Sequence, residues 1–280
     1  MGMPANRPLA ALSSLSGEEF AVLQFRIQGS AEAVKRSRLA LLVSTIASLA
    51  IFITEWNAYL SWYRHFPLAE SFPKNEVTHE AFRNALQQFV ESRVITVSLL
   101  GIRVGVSDMA VLGSLTLFVC SIWLFLSVRR HNHLVGSLLG DTKDLPLPVR
   151  KLVFYGVSAY LLFTTMTQYD AVISTLDEDR SPGGTRLSRL VIALFYLPVV
   201  VIAITILADF LSVFFFNAVL SFPHQPLGFA SLDLTRKIQF IAMEVIALAI
   251  GIPTLFLCRR IIGFERSTAN VLREYAKLVE

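Results

Sequence analysis

Four long apolar stretches divide the chain, and polar residues gather at particular ends of each. They run from Leu39 to about Leu60, Met109 to Val128, Leu187 to Phe216 and Ile238 to Cys258. At about 1.5 Å per residue, roughly 20 apolar residues cross a hydrocarbon core of about 30 Å. The pattern predicts four transmembrane helices, over 39–63, 106–130, 187–216 and 238–258. The first ends in Trp56, Tyr59, Trp62 and Tyr63, the aromatic residues that favour a membrane–water interface.

Charge sets the threading. Lys35-Arg36 with Arg38, Arg129-Arg130, Arg186 with Arg189, and Arg259-Arg260 all fall on one side if four helices cross. The positive-inside rule makes that side cytoplasmic and places both termini there. A fifth apolar run, 152–166, is only about 15 residues long and is short for a crossing. Were it to cross, the bases after the last span would lie outside. We read it as a helix on or dipping into the inner leaflet, within a cytoplasmic segment over 131–186.

The remaining segments carry weaker patterns. Within residues 1–38, Ser16 is a helix N-cap followed by Glu18 and Glu19, and Phe20, Leu23 and Ile27 make the helix amphipathic. The insert 64–105 is extracytoplasmic by this threading. It holds a helix from Thr78 through Phe82, Leu86, Phe89 and Val90. Alternation then sets in at Ile95, Val97 and Leu99, with a turn at Gly101 and a return through Ile102, Val104 and Val106, which reads as a β-hairpin. Residues 217–237 form an outer loop. In 259–280, Ser267 or Thr268 caps a last cytoplasmic amphipathic helix through Val271, Leu272, Tyr275 and Leu278. The fold class expected is therefore an all-α integral membrane bundle of four helices with this small insert.

Composition agrees. The 280 residues are 54% hydrophobic and 16% charged, against about 25% charged in soluble proteins. A net charge of +4 concentrated at helix ends reports topology and argues against a nucleic-acid partner. Cys120 and Cys258 lie in or at the end of spans, so no disulfide framework is expected. No Asn-X-Ser/Thr sequon occurs, which fits a bacterial inner membrane. We find no phosphate-binding glycine loop, nucleophile elbow or His-Glu-x-x-His motif, and so expect no enzyme, cofactor or metal. His131 and His133 stand two apart, on different sides of a helix, and read as a solvated face.

Three acids remain. By depth counting Glu55, Asp209 and Glu244 come to a similar height near the outer leaflet. Asp209 shares a helical stripe with Thr205 and Ser212, and Glu55 shares one with Ser44 and Ser48. Ionisable groups at membrane depth mark functional sites by default, and carboxylate rings favour cations. The expectation is an acidic outer vestibule. The alternative for these acids is hydration at the interface, or pairing with Arg236 and Lys237. Pro198, Gly251 and Pro253 are helix-kink candidates, and Ser107, Ser114 and Ser121, seven apart, form a small-residue packing seam.

Four helices seldom enclose a pore alone, so a homo-oligomer is expected in the lipid bilayer. The functional expectation is a channel for cations or small solutes. The alternative is a non-conducting scaffold or accessory subunit that docks a protein partner on its cytoplasmic helices.

Overall fold

The computed structural model describes residues 16–70, 94–97, 102–105, 109–158, 182–219 and 233–279. Side chains are described for 16–57, 110–158, 192–211 and 233–279. Four long helices dominate: α1 (Gly17–Glu70), α2 (Met109–Asp141), α4 (Pro182–Val219) and α5 (Leu234–Lys277). A short α3 (Leu147–Ser158) lies between the second and third of these. Strands β1 (Val94–Val97) and β2 (Ile102–Gly105) pair antiparallel, Val94 opposite Gly105 and Val97 opposite Ile102. The helix expected over 78–90, and Leu99, Gly101 and Val106, lie outside the described residues.

Each of the four long helices contains a stretch long and apolar enough to cross a membrane. Four such helices mark the chain as a membrane protein.

Three helices are longer than the sequence pattern suggested. The expected N-terminal amphipathic helix and first span are one helix of 54 residues, about 81 Å long. Likewise α5 runs unbroken for 44 residues, so no new helix begins at Ser267 or Thr268. Thr268 sits mid-helix, its Oγ1 donating to the Phe264 carbonyl. The α2 helix continues past Arg129-Arg130 to Asp141. The reason is common to all three. Charged residues change which solvent a helix prefers, but Lys, Arg and Glu are good helix formers, and no proline interrupts 28–38, 129–141 or 259–277.

The chain divides into two compact units, each built from parts of the same long helices: residues 1–43, 120–196 and 256–280, and residues 44–119 and 197–255. In the first unit a core forms from Leu23 of α1, Leu138 and Leu139 of α2, Val149, Val153 and Val157 of α3, and Leu272 and Tyr275 of α5. Of the surface helix expected over 152–166, residues 152–158 belong to α3, where Val153, Phe154 and Val157 pack on protein, and 159–166 lie outside the described residues. Pro146 accepts from the amides of Val149 and Arg150 and starts α3. Gly156 lets it approach α1: a β-carbon there would meet Ile27 Cγ2 at 3.1 Å. At the start of α1, Ser16 and Glu19 form a reciprocal capping box, with bonds of 2.9 and 3.3 Å. A second core in this unit joins Val34 and Leu41 to Leu124, Val128, Phe195 and Ile261.

In the other unit Ile51, Leu117, Val201 and Ile202 form the core. Gly113 brings α2 against Ile51, at 3.3 Å for a β-carbon. Serines recur at sevens on two helices: Ser30, Ser37 and Ser44 on α1, Ser114 and Ser121 on α2. All five are buried, at 2% exposure or less. A seven-residue repeat keeps one stripe facing a neighbour, and small residues on it let backbones come close.

Candidate functional site

The acids lie in the unit formed by 44–119 and 197–255. Their relative heights follow from one contact. Gly251 of α5 faces Ile202 of α4, where an added β-carbon would stand 3.2 Å from Ile202 Cγ2. The two helices run antiparallel here. Seven residues onward along α4 is Asp209, and seven residues back along α5 is Glu244. Both are therefore about 10.5 Å, two turns, from the same crossing. Among the described residues Glu244 Oε2 is buried with no hydrogen-bond partner.

Glu55 follows Ile51 by four residues, as Thr205 follows Val201, and Ile51 and Val201 share a core cluster. Glu55 is 9% exposed, and Thr205 is buried with its hydroxyl donating to the Val201 carbonyl at 3.0 Å. Asp209 and Glu244 are each two turns from one crossing, and Thr205 stands about a turn nearer to it than Asp209. The side chain of Ser212 lies outside the described residues.

Two carboxylates side by side in apolar surroundings repel when both are charged, and a bound cation or a shared proton relieves that repulsion. That is the chemistry available here. A cluster of three or more His, Cys, Asp or Glu suited to holding a metal ion is not found among the described residues.

Pro198 and Pro253 both fall inside continuous helices, on the same side of the Gly251–Ile202 crossing, about 6 and 3 Å from it. Pro253 leaves the Ala249 carbonyl without its amide donor, and the next residue, Thr254, donates its hydroxyl to Ile250 at 2.7 Å.

Elsewhere the structure corrects the reading of the histidine pair. His133 is exposed, but His131 is 1% exposed, with both ring nitrogens buried and without a hydrogen-bond partner among the described residues. It falls on the stripe Leu124, Val128, Val135 and Leu138, which a 3.5-residue count would have found. Burial pushes its pKa down to about 4. Glu265, beyond the apolar stretch of α5, was not singled out from sequence. Its Oε1 is buried without a hydrogen-bond partner among the described residues, and burial pushes the carboxyl up to about 7.

Compared with known proteins, the chain matches no family model, no curated protein and no solved structure.

Proposed function

We propose that the chain is a membrane protein of the bacterial inner membrane that admits cations at the Asp209–Glu244 pair, with Glu55 and Thr205 beneath it. In this reading both termini are cytoplasmic, the β1–β2 ribbon belongs to an extracytoplasmic insert, and the acids face the outer side. One observation carries it: Asp209 and Glu244 lie on adjoining apolar helices, each seven residues from the Gly251–Ile202 crossing, and Glu244 Oε2 is buried with no hydrogen-bond partner among the described residues. Such a group is costly unless a cation or water reaches it. The apolar layer of Ile51, Leu117, Val201 and Ile202 fills the interior immediately below. A through-path is thus assigned to an oligomer, along faces the single chain leaves open. Of the most apolar window of α5, only 11% is buried within the chain.

That same packed layer favours a second reading, a non-conducting scaffold whose long helical extensions dock a protein partner. Cation flux into liposomes carrying the purified full chain separates the two. The channel reading expects flux above empty liposomes, with loss of rate or of cation selectivity in Asp209→Asn and Glu244→Gln. Folded protein that passes no ions sinks it and leaves the scaffold.

A further inference from the structure

Between α2 and α5, where the apolar stretches of both helices give way to charge, lies a cleft of about 410 Å³. Leu126, Arg129, Arg130, Asn132 and His133 of α2 and Phe264 of α5 line it. All belong to one compact unit. Its floor is fixed. Asn132 donates through Nδ2 to the Phe264 carbonyl at 3.1 Å and to Thr268 Oγ1 at 2.8 Å, tying the two helices together. Phe264 packs on Phe125 with ring centroids 5.8 Å apart. Its rim is cationic. Arg129 and Arg130 are exposed, and among the described residues neither forms a salt bridge. Exposed guanidiniums beside the apolar side chains of Leu126 and Phe264 favour an anion with an apolar body.

The approach to the cleft says which anion. On α2, Trp123 and Leu126 are exposed and share a helix face with Arg130, which lies two turns on from the first and one from the second. On α5, exposed Phe256 lies a turn before Arg260, whose guanidinium sits 5.1 Å over its ring. Apolar surface therefore leads into the cationic rim from one direction, as acyl chains lead to a headgroup. A free phosphate would need only the rim.

We propose that this cleft binds the phosphate of an anionic phospholipid. Arg129 and Arg130 hold the phosphate, His133 stands at the rim, and the acyl chains lie along Trp123, Leu126 and Phe256. Basic pockets between membrane helices at the cytoplasmic side are suited to such headgroups.

The test is the thermal midpoint of the full chain in neutral detergent. It is titrated separately with phosphatidylglycerol, phosphatidylcholine and inorganic phosphate. The expected result is saturable protection by phosphatidylglycerol alone. Protection should need about 30-fold more lipid in Arg129→Gln/Arg130→Gln, since each base near an anionic surface contributes a factor of roughly five. Arg129→Lys/Arg130→Lys should keep most of the effect, and Lys35→Gln/Arg36→Gln, exposed bases elsewhere, should keep all of it. Equal protection by phosphatidylcholine, or equal loss in the Lys35/Arg36 variant, overturns the site. Equal, arginine-dependent protection by inorganic phosphate overturns the lipid and leaves a phosphate site.

Discussion

Asp209 and Glu244 stand level with each other because Gly251 and Ile202 touch: each acid is seven residues from that crossing, on antiparallel helices. The spacing of the pair is thus set two turns away, by the absence of a side chain at Gly251.

Enlarging residue 251 should separate the helices. Gly251→Val puts a branched side chain where a β-carbon already stands at 3.2 Å from Ile202 Cγ2. Overpacking of this kind costs about 1–3 kcal/mol. Removing the opposing methyl in Gly251→Ala/Ile202→Ala should recover more than the sum of the single changes allows. Denaturation midpoints in detergent for the single and double variants measure that coupling.

Two buried ionisable groups give the stability an unusual pH dependence. Burial holds Glu265 up to about 7 from an ordinary 4.5. Between these values the unfolded chain releases a proton that the folded chain keeps, so this contribution is full below 4.5 and lost as pH rises to 7. His131, held down to about 4 from 6.5, acts in the opposite sense. The unfolded chain binds a proton that the folded one refuses, so stability falls as pH drops from 6.5 to 4. Each effect is of order 3 kcal/mol, and they oppose over the shared window. Wild-type stability should be nearly flat from pH 4.5 to 6.5. Glu265→Gln should expose a curve rising with pH, and His131→Leu one falling with it. Unfolding curves at half-unit pH steps decide the matter, and a steep wild-type slope would contradict it.

The buried hydroxyl pair of Thr142 and Tyr275 should be worth about 1 kcal/mol. Their oxygens are 2.8 Å apart, and Thr142 Oγ1 also donates to the Leu138 carbonyl. Tyr275→Phe loses the shared bond but strands no polar group, so a cost of about 0.5–1.5 kcal/mol is expected. Tyr275→Ala also empties the site against Phe154, whose ring stacks at 6.5 Å, and should cost about 3–5 kcal/mol.

Packing outweighs the ion pair at the end of α2. Arg26 Nη2 donates to Asp141 Oδ2 at 2.8 Å and to Ser137 Oγ at 2.6 Å, but the two side chains are 33% and 63% exposed. Asp141→Ala should cost less than about 1 kcal/mol and less still in high salt. Leu138→Ala, one turn away and 1% exposed, should cost about 2–5 kcal/mol at any salt. Denaturation at low and high ionic strength distinguishes them.

How much of this was legible in the sequence depended on which force set each feature. Hydrophobic length is additive along the chain, so the four apolar helices could be read directly, as could the Ser16–Glu19 cap. Helix ends could not. Arg36, Arg129 and Arg259 mark a change of solvent, and nothing in the backbone stops there. The heights of Asp209 and Glu244 came from counting rise, which a straight helix preserves. Their closeness came from the Gly251–Ile202 contact, which no local pattern contains. His131 was misread because two histidines two apart were compared with each other, and not with the core stripe that one of them joins.

The buried serines carry one more consequence. Each serine on the α1 and α2 stripes makes its helix less apolar, and so harder to pass from the insertion machinery into lipid. Leucine at Ser44, Ser114 or Ser121 would ease that entry, yet it would overfill a stripe that is now buried. Membrane entry and packing thus select in opposite directions at the same positions. Changes on this stripe should therefore yield protein that inserts well and packs badly, a defect visible in its thermal midpoint in detergent but not in the amount of protein reaching the membrane.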